Sequence, residues 1–308
     1  MSEEFTRRIQ LLIDNVRKVV VADHDVIKLS ILGLLCKGHI LLDDYPGVGK
    51  TLLAKSLAQS LEVDFKRIQF TPDLLPTDIT GSSIYSQSKE EFKFIPGPIF
   101  ANIVLADEVN RSGPRTQSAL LEAMGEGFVT FDGVTRPLPS PFFVIATRNI
   151  TETHGVYPLP QSQLDRFLLS FGIGYPEKEE EVEILERHEH GEPDLQPVLT
   201  AKDVTFLQEY VYQVKVARPV KEYIAGVIAE TRKNTEITIG VSPRGAVALQ
   251  RAAQAGAAME GRDFATPDDV KAVSKAVLQH RIVTRSLEPD AASKYIEDVL
   301  AAVPVPVW

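Results

Sequence analysis

The sequence carries a single cysteine, Cys36, in 308 residues. One thiol makes neither an intrachain disulfide nor a Cys-rich zinc site, and this scarcity points to a reducing compartment, the cytoplasm. Long hydrophobic runs are also missing. The most apolar early stretch, Leu29 to Leu42, is broken by Lys37 and His39 and falls short of the roughly 20 residues that cross a bilayer. The opening Met-Ser-Glu-Glu-Phe runs on into polar residues, unlike a signal peptide. Basic residues are in deficit: 33 Lys and Arg stand against 42 Asp and Glu, a formal net charge of -9 with a pI near 5.3. A field of that sign repels nucleic acid and anionic membranes. Internal repeats and low-complexity runs are lacking too.

Hydrophobic residues make up 44% of the chain, enough to bury real cores, and at roughly 150 residues per domain the length suggests about two domains. Apolar residues at Phe5, Ile9, Leu12, Ile13, Val16 and Val19 recur at helical spacing, and Val26 to Cys36 reads as a second helix. Strands and helices then alternate: strand His39–Asp43, helix from Lys50 to about Leu61, strands Phe65–Phe70 and Ile103–Ala106, helix Pro114–Met124, strands Phe142–Ala146 and Phe167–Phe171. Short, almost wholly apolar strands alternating with helices predict a parallel sheet covered on both faces, with ligands at its carboxyl edge. Residues 73–98 lack a clear period and are long for a plain connection, which marks a functional insertion. Around Asp132-Gly133, residues 127–138 read as a β-hairpin. The acidic run Glu177–Glu181 opens a C-terminal part read as helices without strands: roughly 201–212, 220–234, 243–259, 267–280 and 290–302. Ser242-Pro243 and Thr266-Pro267 are N-cap and first-turn pairs.

The chemistry concentrates at the strand ends. Ile40-Leu41-Leu42 runs into Asp43-Asp44-Tyr45-Pro46-Gly47-Val48-Gly49-Lys50-Thr51-Leu52, a strand, a glycine-containing loop and a helix start. There, backbone N–H groups and the helix dipole can cradle phosphates, with Lys50 reaching the β and γ phosphates and Thr51 a ligand for Mg²⁺. The plainer alternative is a tight turn with a capping Thr. Asp44 stands where such loops usually begin with Gly, so the turn cannot use glycine's φ freedom at that position. Ile103-Val104-Leu105-Ala106 ends in Asp107-Glu108, placing Asp107 to hold Mg²⁺ and Glu108 to act as general base on an attacking water; taken alone, such a pair is more often a solvated strand end, a balance that the phosphate loop upstream reverses. Phe142–Ala146 leads to Asn149, which would orient the lytic water if its strand lies between the other two, or else simply form a turn. Arg166 and Arg244 carry the same ambiguity, between a catalytic cation and a surface ion pair.

Together these residues resemble an AAA+ ATPase, and more closely the MoxR family. The resemblance rests on Gly38 through Thr51, Asp107-Glu108-Val109-Asn110-Arg111, Thr116 through Met124, Tyr157-Pro158-Leu159-Pro160 and Gln163-Leu164-Asp165-Arg166-Phe167, and it extends from about Val19 to the helical C-terminus. An acidic residue at position 44 is usual in that family. The resemblance implies a three-layer α/β/α P-loop core over residues 1–180 followed by an all-α lid over 181–308. It implies ATP and Mg²⁺ as cofactors, with Asp44 to Leu52 holding the nucleotide. By position, Lys50 and Thr51 match Walker A, Asp107 and Glu108 Walker B, Asn149 sensor 1, Arg166 the arginine finger and Arg244 sensor 2. Residues 73–98 correspond to the helix-2 insert and 127–138 to the pre-sensor-1 hairpin. The family assembles into rings, commonly hexamers, and is associated with von Willebrand factor A domain partners.

Two departures stand out: Ile150-Thr151 follows Asn149 where the family has Asn-Pro, and Ala22 stands where Gly is frequent. The expected function is an ATP-hydrolysing, ring-forming chaperone that remodels or matures a protein client. A slow nucleotide-gated scaffold that recruits a partner shares every motif. A DNA-acting motor or GTPase is a further alternative, against which the acidic balance argues; its best support is the basic group Lys66, Arg67, Arg111 and Arg115. His188 and His190 flank Glu189 without a further ligand at usable spacing, and the tail Val303 to Trp308 ends on an apolar aromatic.

Overall fold

A computed structural model of the chain describes residues 2–88, 90–149, 155–191, 194–286, 288, 290 and 291–306. Helices α1 (Ser2–Arg17) and α2 (His24–Leu35) lead to strand β1 (Ile40–Asp44), the loop 45–49 and α3 (Lys50–Ser60). After β2 (Phe65–Gln69) come α4 (Pro76–Thr80) and a hairpin of β3 (Gly81–Ser86) and β4 (Glu91–Pro96). Strand β5 (Ile103–Asp107), α5 (Pro114–Glu126) and a second hairpin, β6 (Phe128–Phe131) with β7 (Val134–Pro137), precede β8 (Phe143–Asn149). Helix α6 (Gln161–Leu164) and β9 (Leu169–Phe171) come next. The remainder is α7 (Lys178–His190), α8 (Ala201–Gln213), α9 (Arg218–Lys233), β10 (Ile237–Ile239), α10 (Pro243–Met259), α11 (Pro267–Leu278), β11 (Val283–Thr284) and α12 (Ala291–Ala302).

Among the described residues, β2-β5-β8-β1-β9 form a five-stranded parallel sheet. The near-continuous apolar strands have the expected cause, since alternate residues enter different cores. Ile40, Leu42, Ile103, Leu105, Phe143 and Ile145 pack with α1 to α3 and the C-terminal helices. Leu41, Val104, Ala106, Val144 and Ala146 pack with Leu120, Leu121 and Met124 of α5. Each Val, Leu, Ile or Phe among them contributes about 1.5–3 kcal/mol when fully buried. His39, just before β1, ties the layers together. Its Nδ1 accepts from Val144 N at 3.0 Å, so its Nε2 carries the proton and donates to Met124 O at 3.1 Å. Burial pulls the imidazole down to about 4.

The expected caps hold: Ser242 and Thr266 accept from Gly245 N and Asp269 N, starting α10 and α11 at Pro243 and Pro267. The fold is α/β with a helical C-terminal lid, with two additions to the sequence reading. The insertion 73–98 is not irregular but holds α4 and the β3–β4 hairpin. The lid, read as all helices, also contains the short antiparallel pair β10–β11. Gly97 closes the insertion on its own base: a Cβ there would lie 2.2 Å from Ile79 O and 2.5 Å from Gly81 N. The two hairpins are clasped, with Phe94 against Phe131 and Arg136, and Ser83 Oγ donating to Asp132 Oδ2 at 2.8 Å. At the free end of the first, the Tyr85 and Phe92 rings pair in solvent.

Helices α1 and α2 contact both the sheet layer and the lid. Asn15 Nδ2 donates to Ser60 Oγ at 3.0 Å, Arg8 pairs with Asp203, and Gln208 Nε2 donates to Leu34 O at 2.7 Å. Cys36 is buried at the end of α2, where burial pushes its thiol up to about 12. Among the described residues, no helix is long and apolar enough to cross a membrane. Nor do any three His, Cys, Asp or Glu group as a metal site, which includes His188. Ile150, Thr151 and the terminal Val307-Trp308 lie outside the described residues.

Candidate functional site

The carboxyl ends of β1, β5 and β8 converge on one edge of the sheet. Gly47 and Gly49 sit there at φ +83° and +91°, the left-handed region that other residues seldom occupy. A Cβ at either would meet nothing within 4 Å, so the demand for glycine is angular, and the space above the loop is open. Lys50 and Thr51 begin α3 directly after Gly49, putting backbone N–H groups and the dipole's positive end toward that space. Lys50 Nζ donates to Asp44 O at 3.1 Å and to Tyr45 O at 2.8 Å. Burial lowers the Lys50 ammonium below its ordinary value, opposed by the Asp44, Asp107 and Glu108 carboxylates.

Asp44 replaces the loop's usual first glycine with a carboxylate that binds backbone. Its Oδ1 accepts from Tyr45 N at 2.8 Å, and its Oδ2 accepts from Ile173 N and, at 2.9 Å, from Gly174 N. The loop is thereby pinned to the segment after β9. Tyr45 and Tyr175 stack above this joint, ring centroids 4.9 Å apart.

Asp107 is 8% exposed at the end of β5. Thr147 Oγ1 donates to its Oδ1 at 2.6 Å, and Arg67 Nη2 lies 2.6 Å from its Oδ2. Glu108 adopts φ +57°, a left-handed conformation that costs a non-glycine residue about 1–3 kcal/mol, and donates its N–H to Thr147 Oγ1 at 2.9 Å. That backbone turn directs its carboxylate to Gln69 Nε2 at 2.9 Å and Arg111 Nη1 at 3.0 Å. Gln117 on α5 braces the short turn after Glu108: its Nε2 lies 3.2 and 3.1 Å from the Val109 and Ser112 carbonyls.

The condition set on Asn149 is met, because β8 lies between β5 and β1 with Asn149 in register with Asp44. A cavity of about 350 Å³ therefore gathers Pro46, Gly47, Gly49, Lys50, Thr51, Leu52, Asp107, Glu108 and Asn149. Past Gly47, Val48, Gly49 and Leu52 it adjoins a second cavity of about 610 Å³, walled by Val19, Val20, Ala22, Ile173 and Ile184. Polar phosphate-binding groups on one side and apolar walls on the other suit the two ends of a nucleotide.

Arg166 and Arg244 stand apart from this edge. Leu169 pairs with Ile40 at the start of β1, so Arg166 lies beyond the amino edge of the sheet. Its Nη1 donates to Leu121 O at 2.6 Å, in a recess shared with Glu122 and Glu126. Arg244 is exposed in the first turn of α10, outside both cavities. Sequence reasoning missed Arg67, Gln69 and Thr147 as parts of the site. Only Thr147 left a trace, as the first polar residue after the apolar run Phe142–Ala146.

The family model for the ATPase family associated with various cellular activities (AAA) matches residues 39–169, and that for the AAA lid domain matches 229–302. Chaperone MoxR1 of Mycobacterium tuberculosis is 43% identical over 277 residues, 87% of this chain and 74% of that protein. The chain belongs to the MoxR family of AAA+ ATPases. Its similarity to YeaC of Bacillus subtilis is 48% identity over 303 residues, covering 96% of this chain and 94% of that protein. The crystal structure of a candidate ATPase from Cytophaga hutchinsonii is 38% identical, with a TM-score of 0.91 over 99% of this chain and 97% of that one. MoxR-family membership thus agrees with a nucleotide site built on the loop 44–52.

Proposed function

We propose that the protein is a ring-forming, ATP-hydrolysing chaperone of the cytoplasm that remodels or matures a protein client. The observation that carries this reading is the placement of Arg166. The phosphate loop follows the carboxyl end of β1, whereas Arg166 lies beyond its amino end, a separation of about 16 Å for five extended residues. An arginine so placed does not serve its own subunit's phosphates. It serves a neighbour's, which calls for a closed ring, here proposed to be a hexamer.

In this reading residues 1–180 form the core and 181–308 the lid. Asp44 to Leu52 hold the nucleotide, and Lys50 neutralises its outer phosphates. Thr51 and Asp107, hard oxygen donors facing one cavity, would hold a Mg²⁺ ion there. When bound, the ion offsets charge on the transferred phosphoryl group. Glu108 takes the proton of the attacking water, Asn149 orients that water, and the neighbour's Arg166 stabilises the charge that develops at the γ phosphate. Arg244 on α10 reports nucleotide state to the lid. MoxR1 is named a chaperone, which supports a protein client, and a von Willebrand factor A domain partner remains the proposed co-worker.

Hydrolysis per subunit measured against protein concentration tests the reading, with Arg166→Ala and Glu108→Gln alongside. The expected rate climbs with concentration and falls by about 10³-fold or more in both variants. A slow rate that is flat with concentration and indifferent to Arg166→Ala favours the nucleotide-gated scaffold instead.

A further inference from the structure

Asp165 lies between the two arginines assigned to the nucleotide cycle and touches the elements that carry both. Its Oδ2 accepts from Ser242 Oγ at 2.8 Å, and Ser242 caps the helix on which Arg244 is the second residue. Its Oδ1 accepts from Arg281 Nε at 2.9 Å. Arg166 is its immediate neighbour in the chain.

Arg281 makes this junction firm. The side chain is 2% exposed, and a guanidinium so deeply buried is costly to leave without its counter-charge. Its Nη1 donates to Leu168 O at 3.0 Å and to Val277 O, and its Nη2 donates to Phe167 O. Next to it, His280 Nε2 lies 3.0 Å from Phe167 O, and Gln161 Nε2 donates to His280 O at 2.8 Å. The first turn of α10 rests on the same arginine, since a Cβ at Gly245 would lie 3.0 Å from Arg281 Cδ. Residues 279–281 of the lid therefore grip residues 161–170 of the core, and the Asp165 carboxylate joins that grip to the start of α10. Burial lowers the Arg281 guanidinium to about 10, and the Asp165 carboxylate opposes the shift.

We propose that Asp165 is a positioning residue that couples the two arginines, holding the start of α10, and so Arg244, in fixed relation to the turn that presents Arg166. Lid rotation set by one subunit's nucleotide then moves the arginine offered to the next. An ion pair to a buried arginine and a cap hydrogen bond on one carboxylate make the lid and the turn a single mechanical unit. The inference rests on the roles given above to Arg166 and Arg244.

The test uses the full chain at saturating ATP, with Asp165→Asn, Arg166→Ala and their double variant, and Ser242→Ala, Arg244→Ala and their double variant. Turnover is read beside nucleotide affinity and thermal melting. Asp165→Asn is expected to lose about tenfold in turnover while its ATP Kd stays within about threefold, and to add nothing in the Arg166→Ala background. Ser242→Ala is expected to lose about threefold, and nothing further in the Arg244→Ala background. Losses that multiply in the double variants overturn the coupling, as does full turnover in Asp165→Asn. If Asp165→Asn fails to fold, the Ser242→Ala and Arg244→Ala pair decides by the same criterion. Full turnover in Arg166→Ala overturns the parent reading itself, whereas its loss beside full turnover in Asp165→Asn overturns the coupling alone.

Discussion

Arg67 and Asp107 meet across the β2–β5 pair, with Nη2 2.6 Å and Nε 3.2 Å from the same carboxylate oxygen. The other oxygen of Asp107 is taken by Thr147. A guanidinium thus already supplies the positive charge that a divalent cation would bring to this carboxylate. The two compete.

Replacing Arg67 by Gln is therefore expected to lower the Mg²⁺ concentration at half-saturation. The Arg67 side chain is 49% exposed, and solvent screening limits the gain to about threefold. Calorimetric titration of Mg²⁺ into the protein with ADP present measures it; an unchanged or raised midpoint contradicts the competition.

Asp44→Gly restores the residue that phosphate loops usually carry at this position, yet it is expected to harm the protein. The Ile173, Gly174 and Tyr45 N–H groups lose their acceptor together, and leaving buried donors unpaired costs about 1–3 kcal/mol each where water does not replace the carboxylate. Lower melting temperature and weaker nucleotide binding should appear together. Wild-type values in both would show that the carboxylate is dispensable.

Acid should unfold the protein partly through His39. Its folded value near 4 lies below the ordinary 6.5, so between those limits the unfolded chain binds a proton that the folded chain refuses. Stability is lost as pH falls through 6.5, by about 1.4 kcal/mol from His39 between pH 7.5 and 5.5. Burial pushes His280 in the same direction. Urea midpoints across this range should slope less steeply in His39→Gln, and an identical slope would remove His39 from the account.

Gly97→Ala is expected to dislodge the insertion without disturbing the nucleotide site. The added methyl group collides with backbone at Ile79 and Gly81, an overpacking that costs about 1–3 kcal/mol. Hydrogen exchange should quicken across residues 76–96, with ATP affinity kept. Quickened exchange spread evenly over the sheet would place the damage elsewhere.

The parallel sheet and its loop were legible because their signals are local: apolar strands, Gly-Val-Gly-Lys-Thr, and an acidic pair at a strand end. Asp132-Gly133 announced β6–β7, and both residues adopt positive φ, at 50° and 73°, as a two-residue hairpin turn requires. No such dipeptide marks the turn between Ser86 and Glu91, so β3–β4 passed as irregular. Arg67 and Gln69 were illegible for another reason. They are exposed polar residues on an edge strand, and only the pairing of β2 with β5 sets them beside Asp107 and Glu108. Likewise, the place of Arg166 beyond the amino edge comes from the register of β9 on β1, which no local pattern encodes.

The burial of Cys36 has a practical side. A thiol held protonated to about pH 12 and shut away from solvent stays silent toward maleimide dyes at neutral pH. The natural chain is therefore ready for single-site chemistry. A cysteine introduced at Tyr85 on one clasped hairpin, or at Val134 on the other, would take a fluorophore alone, giving an optical reporter of hairpin movement while Cys36 keeps its place in the core.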